Sequence, residues 1–289
     1  SAAFALVKQA TLAEPLPSML FLSRGLHLPS PSAGSSAGSA AAAHGWSGGL
    51  VRVLELEYST MPVLAKDVAV GPGMPLNACG SLCGPDTQLS WMEGRAFVAR
   101  LRRAHAVELS SSALDRRSVG DSTLDAAVIT GGLGGLGLRA ATMLQQTHRV
   151  RSLVLTSRSG QVAREGQGLP AQLRRLQAAR TVSTVVLACN TAESHDVIGM
   201  MMRHEVAAAR ALGLLHAAGI GDKGLLRDVS EPRIGSVFAP KAMGAFHQLS
   251  TATAHPIAAL VMFSSVAAGL GQVGQGVYAA ANAHLDSLT

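Results

Sequence analysis

Aromatic side chains are scarce, at 3% of a 289-residue chain with only two tyrosines and two tryptophans. A core must therefore be built from Ala, Val, Leu and Met, with Gly and Ala where elements approach closely. Cysteine is rarer still, present only as Cys79, Cys83 and Cys189. So few, and odd in number, they exclude a disulfide scaffold. A Cys-x-x-x-Cys pair without a second pair makes no zinc site, so the thiols read as unpaired, no metal is expected, and a reducing compartment, the cytoplasm, is favoured. An organellar site stays open. Long apolar runs are missing as well: each is broken by Gly, Arg or His short of a membrane-spanning length, and no membrane partner is expected. Lys8 and Glu14 interrupt the amino terminus, which lacks the basic-then-apolar pattern of a signal peptide. Acidic charge is the minority sign, leaving a net charge of +6 that arginine mostly carries. The arginines are scattered, without interleaved aromatics, which argues against nucleic acid and for an anionic cofactor or phosphate-bearing substrate.

What is present is 48% hydrophobic, enough for two modest domains or one large α/β unit. Residues 28–49 are rich in Pro, Ser, Gly and Ala without periodicity and read as a flexible surface insertion. The polar stretch DRRSVGDST, 115–123, reads as a boundary between two halves, 1–115 and 124–289. Strand-like runs precede it: SMLFLSRG, LVRVLELEY, PVLAKDVAV and AFVARL. After it, AAVIT, SLVLTS, TVSTVVLA, LGLLHAA and AALVMFSS alternate with helix-like LRAATMLQQ, PAQLRRLQAA and SHDVIGMMMRHEVAAARA. Alternation of this kind predicts a doubly wound parallel sheet, Rossmann-like, covered by helices on both faces.

The stretch TGGLGGLG, Thr130, Gly131, Gly132, Leu133, Gly134, Gly135, Leu136 and Gly137, follows the first of those later strands and leads into an amphipathic helix. Glycines there permit a tight turn and a close approach to a pyrophosphate at the helix start. Such a loop could be an ordinary strand–helix junction; the strand–loop–helix setting favours a dinucleotide. At the end of the second strand, where an acidic residue would hold a free ribose hydroxyl, stand Ser157, Arg158 and Ser159. A guanidinium suits a 2′-phosphate, so NADPH is expected over NADH. The third run ends at Cys189 and Asn190, the latter where an adenine contact is expected. The fourth ends at Ala217, Ala218 and Gly219, small enough to pass beneath a nicotinamide ribose.

Near the carboxyl end, FSSVAAGLGQVGQGVYAAAN sets Ser265 thirteen residues before Tyr278. A serine after the fifth strand and a tyrosine on the next helix resemble the short-chain dehydrogenase/reductase superfamily, which usually has lysine four residues beyond the tyrosine. Here that residue is Asn282, and Lys241, one of four lysines, lies 24 residues before Ser265. This arrangement closely resembles the ketoreductase domain of modular (type I) polyketide synthases. LFLSRG, GGLVRVLELEY and SWMEGRAFVARL are similar to its amino-terminal structural subdomain, a degenerate, truncated Rossmann-like fold without cofactor. TGGLGGLG, TSRSG, LHAAGI, PKAMGA and YAAANAHLDSL are similar to its catalytic subdomain, so the resemblance covers nearly the whole chain.

The resemblance implies NADPH-dependent reduction of a 3-ketoacyl chain to 3-hydroxyacyl on the phosphopantetheine arm of an acyl carrier protein, during polyketide or fatty-acid-like extension, beside other domains of the same synthase. Tyr278 would give a proton to the ketone oxygen and Ser265 would hold that oxygen. Lys241 would assist the phenol and hold the nicotinamide ribose, with Asn282 orienting a neighbour or a water. Three departures qualify it. Asn190 replaces a usual aspartate. Asp222 remains of a Leu-Asp-Asp stereochemical motif, with Lys223 in place of the second aspartate. Leu270 stands eight residues before Tyr278, where the other stereochemical class has tryptophan. Together with Gln275, Asp222 and Leu270 are the expected stereochemical residues, and the 3R alcohol is the expected product. The resemblance also implies that the chain begins within the structural subdomain and stops at Thr289 before the last strands and a lid. The alternatives are an idle ketoreductase-like scaffold within a synthase and a free-standing reductase of small alcohols.

Overall fold

The computed structural model describes residues 2–24, 44–68, 87–92, 95–100, 123–147, 149–162, 167–179 and 181–288. Cys79, Cys83, most of the 28–49 stretch and the 115–122 boundary lie outside them. The chain divides into two compact units that interleave in sequence: residues 1–100, 220–242 and 264–289 form one, 101–219 and 243–263 the other.

The second unit holds a five-stranded, wholly parallel sheet. In chain order the elements are β5 (Leu124–Thr130), α3 (Gly135–Gln146), β6 (Val150–Ser157), α4 (Leu169–Ala178), β7 (Ser183–Ala188), α5 (Ser194–Met201), α6 (His204–Ala207), β8 (Leu212–His216), α8 (Gly244–Ala252) and β9 (Ile257–Met262). The strand order β7-β6-β5-β8-β9 reverses direction at β5, the usual place for a ligand crevice in an open α/β sheet. Alternation along β5 explains the two covered faces. Ala127 and Ile129 join a core with Leu138 and Leu144 of α3 and Leu176 of α4, while Ala126 and Val128 join another with Val197 and Met200 of α5. The helix expected over 194–211 is in fact two, separated at Met202–Arg203.

The first unit holds a four-stranded sheet in the order β1 (Met19–Arg24), β2 (Val63–Val68), β3 (Gln88–Met92) and β4 (Arg95–Phe97), parallel except for the last pair. Its helices are α1 (Ala2–Thr11), α2 (Trp46–Glu57), α7 (Glu231–Phe238), α9 (Val266–Leu270) and α10 (Gly276–Asp286). Here one sequence expectation fails: LVRVLELEY is not a strand but the body of α2. The β-branched valines suggested a strand, yet Leu50, Val51, Val53 and Leu54 are the buried residues, and 50, 51 and 54 follow helical spacing. The helix also reaches back into the supposed surface insertion, burying Ser47 and Gly49. Gly49 is required there, because a Cβ would lie 2.3 Å from the Ala279 carbonyl oxygen of α10. The run Ala279–Ala283 on α10 is buried along its length, so small residues on both helices let their backbones meet.

Candidate active site

Each unit supplies its own set of candidate residues. In the second unit the chain leaves β5 at Thr130, fully buried, and turns through Gly131 at φ +66°. A Cβ at Gly131 would meet the Ala217 carbonyl oxygen at 2.6 Å, and one at Gly137 the Gly131 carbonyl oxygen at 2.5 Å. Gly132 would likewise meet the Ile129 carbonyl oxygen at 2.5 Å. These three glycines are explained by the fold itself. Gly135 is not: a Cβ there would touch nothing within 4 Å. Glycine at an open first helical position, where it costs helix stability, fits a cradle kept clear for a ligand. No side chain caps the start of α3 at Gly134, which suits an anion against the helix N–H groups. Leu133 is core, leaving only its backbone for the loop, while Leu136 is exposed.

After β6, the Ser157 hydroxyl donates to the Gln161 carbonyl at 2.9 Å and Ser159 Oγ accepts from the Gln161 N–H at 3.3 Å. The two serines shape the turn that carries Arg158, which is exposed. Cys189 is buried, and burial foremost, then Asp196, pushes its thiol up to about 11, so it is no nucleophile. Asn190 Oδ1 accepts from the Ala192 N–H, while its own N–H donates to Asp196, fixing the turn beyond β7. The Ala217 N–H donates to the Thr130 carbonyl, tying the end of β8 to the glycine loop; Ala218 is buried and Gly219 exposed. Beneath the loop lies a polar group the sequence reading missed: His216 Nδ1 is 2.8 Å from Thr130 Oγ1 and 2.6 Å from Gln248 Nε2, all three buried.

In the first unit, Lys241 lies in a π-helical turn, Ala239–Met243, after α7. Such turns add a residue to a helix and re-aim its side chains, often at functional sites. Lys241 is 4% exposed, with Nζ 5.7 Å from the centroid of the Tyr278 ring. Burial lowers its pKa to about 8, opposed by the negative charge of Asp286. Tyr278 sits in the first turn of α10 and is half-buried. Asn282, one turn on and fully buried, donates from Nδ2 to the Tyr278 carbonyl at 2.8 Å, while its Oδ1 is buried without a hydrogen-bond partner. The Ser264 hydroxyl donates to the Asn282 carbonyl at 3.3 Å. Ser265 caps α9: its Oγ accepts from the Ala267 N–H at 3.2 Å, leaving the hydroxyl proton available to donate. Tyr278, Asn282 and Asp286 form an i, i+4, i+8 stripe on α10, a spacing that would have revealed Asp286.

Of the three expected stereochemical residues, Asp222 and Gln275 stand on two loops that meet where the Gly224 N–H donates to the Gly274 carbonyl. Asp222 is buried and its carboxylate is held by the Arg233 guanidinium, one oxygen on Nε. Leu270 ends α9 and is 53% exposed, and Gln275 immediately precedes α10. Among the described residues no three His, Cys, Asp or Glu side chains gather as a metal site, and no helix is long and apolar enough to cross a membrane.

The chain is similar to several known proteins. Residues 126–289 match the family described as KR domain. The spectinabilin polyketide synthase system protein NorA' of Streptomyces orinoci is 36% identical over 244 residues, which are 83% of this chain and 6% of that protein. Polyketide synthase GfsA of Streptomyces halstedii is 38% identical over 207 residues, 71% of this chain and 3% of that protein. Among solved structures, A-type ketoreductases from a modular polyketide synthase superpose with a TM-score of 0.80 at 26% identity, over 99% of this chain and 58% of theirs. The first ketoreductase of the tylosin synthase gives 0.74 at 27%, over 99% of this chain and 59% of its own. The chain thus spans a small part of the synthases and somewhat over half of the solved ketoreductases.

Proposed function

The chain belongs to the KR-domain family, the ketoreductases of polyketide synthases, and on that premise we propose that it reduces the 3-keto group of an acyl chain on the phosphopantetheine arm of an acyl carrier protein, in the cytoplasm, with NADPH as reductant. The observation that carries this reading is the buried Lys241 ammonium set against the Tyr278 ring, on the helix whose approach holds the Ser265 hydroxyl. When bound, NADPH supplies hydride to the carbonyl carbon. Negative charge then grows on the carbonyl oxygen, and the residues of the chain meet it. Ser265 donates a hydrogen bond to that oxygen, and Tyr278 transfers its phenolic proton to it. Lys241, in a site from which water is largely removed, offers a cation to the phenolate left behind. Asn282 holds the first turn of α10 in place through the Tyr278 carbonyl, fixing where the ring stands.

The NADPH assignment is supported by the clear space over Gly135 and by Arg158, exposed on the turn after β6 and free to meet a ribose phosphate. The 3R alcohol is the expected product in simple unbranched chains, because Asp222 is present and Leu270 replaces the tryptophan of the other class. The test is NADPH oxidation by the longest polypeptide carrying these residues, with a 3-ketoacyl thioester and then without it. Ketone-dependent loss of NADPH absorbance is expected, and its absence would sink the reading. Chiral chromatography of the product checks the configuration, and a predominantly 3S alcohol would overturn that part alone.

A further inference from the structure

Two loops that precede α10 in sequence meet near its start. One runs from Ile220 to the 3-10 turn Leu226–Asp228 and holds Asp222; the other, residues 271–275, joins Leu270 to α10 and ends with Gln275. Both turn through glycines in the left-handed region, Gly224 at φ +136° and Gly274 at φ +75°. They touch once through the backbone, where the Gly224 N–H donates to the Gly274 carbonyl at 2.9 Å. At the end of α2, Glu57 then closes over both. Its Oε2 accepts from the Leu226 N–H at 2.7 Å and its Oε1 from the Gly274 N–H at 2.8 Å. One carboxylate thus joins amides that stand 169 and 217 residues from it in the chain. Hydrogen bonds to a carboxylate are short and strong, and each oxygen here is matched to one amide.

The register so fixed is tight. Leu226 is 2% exposed, and its Cδ2 lies where a Cβ at Gly276, the first residue of α10, would come within 2.3 Å. A slip of the first loop would therefore press on the start of the helix that carries Tyr278 two residues later.

We infer that Glu57 is a positioning residue for the ketone: it bonds only loop backbone, and through those loops sets which face of the carbonyl meets the cofactor. The inference rests on the ketoreductase reading above. Its test uses Glu57→Ala and the isosteric Glu57→Gln in the same polypeptide, read in two ways. Amide hydrogen exchange at Leu226 and Gly274 should quicken by about ten- to a hundred-fold in Glu57→Ala and less in Glu57→Gln, which keeps one acceptor. With a 3-ketoacyl thioester, KM should rise and the ratio of the two alcohol enantiomers should fall, each by about ten-fold, while NADPH affinity stays within two-fold. Unchanged exchange at both amides would overturn the clamp. Faster exchange with unaltered KM and enantiomer ratio would overturn its role in placing the ketone. If Glu57→Ala fails to fold, Glu57→Gln preserves the packing and decides both points. A polypeptide that reduces no ketone would defeat the functional reading, while exchange at the two amides would still decide the clamp.

Discussion

The turn after β5 and the surroundings of Lys241 treat the backbone and the side chain in opposite ways. At Gly131, Gly132 and Gly137 the side chain is deleted so that backbone can lie against backbone, and what remains is a row of peptide dipoles at a helix start. Around Lys241 the chain does the reverse. It buries an ammonium to 4% exposure beside an aromatic ring and re-aims it with a π-helical turn. The first arrangement costs little energy and tolerates almost no added atoms. The second is held against a substantial desolvation penalty, as perturbed groups at functional sites commonly are. On the proposed reading, phosphate would be met by shape and proton transfer served by stored electrostatic cost.

The sharpest way to break this comparison is at the tyrosine. Tyr278→Phe removes a hydroxyl and keeps the ring that packs against the core, so folding and NADPH affinity should hold while turnover falls about 10²–10⁴-fold. Steady-state kinetics with a 3-ketoacyl thioester measures it. Parental turnover in that variant would return Tyr278 to mere packing and favour an idle scaffold.

The shape end is tested by a pair of glycines that should respond differently. Gly131→Ala places a Cβ 2.6 Å from the Ala217 carbonyl oxygen at φ +66°, and should cost at least about 2 kcal/mol of stability along with cofactor binding. Gly135→Ala meets nothing within 4 Å and favours the helix, so its Tm should hold or rise. If Gly135→Ala nevertheless weakens NADPH in calorimetric titration, the glycine serves the ligand. Unweakened binding would leave Gly135 without a ligand to explain it.

The electrostatic end has a signature in pH. Lys241 has a folded pKa of about 8 against 10.5 for the ordinary side chain, with burial the larger cause. Between those values the unfolded chain binds more protons than the folded one, so stability rises with pH across that window, by up to about 3 kcal/mol. Below it the penalty is fully present. Turnover should move the other way, declining as pH passes about 8 and the cation is lost. Lys241→Met should flatten the stability slope in denaturant titrations at pH 7.5, 9 and 10.5. An unchanged slope would show that the lysine is not the group responsible.

How much of this was legible beforehand divides along the same line. The parallel sheet read directly, because strands buried on both faces are nearly continuous apolar runs, as in Ala126–Thr130. The glycine turn was legible because much of its requirement is local, Gly132 and Gly137 being forced by Ile129 and Gly131, though Gly131 answers to the distant Ala217 carbonyl. α2 was misread as a strand, since its valines carry strand propensity while its burial comes from a partner helix more than two hundred residues away. Lys241 could be found only through a family resemblance, for no local pattern marks a lysine destined for burial. Glu57 left no trace, because its partners are backbone amides that any residue supplies. His216 and Gln248 were hidden for a related reason: two polar residues read singly gave no sign that they would meet under Thr130.

The smallest expected effect lies at Arg158, and it asks whether the shape end also discriminates by charge. Ser157 and Ser159 spend their hydroxyls on Gln161, one donating to its carbonyl and one accepting from its N–H, so the turn is set without the guanidinium. Arg158 itself is exposed. Removing it should therefore leave the turn and the stability of the fold intact. What it should change is the difference between two cofactors that are alike except for a ribose 2′-phosphate. Arg158→Ala should weaken NADPH by about ten-fold, more at low salt than at high, and leave NADH nearly unchanged. Fluorescence titration with both cofactors at two ionic strengths measures this directly. Equal loss for both would mean that the arginine holds the turn in a way the two serines do not, and phosphate recognition would have to be sought in another residue near the end of β6.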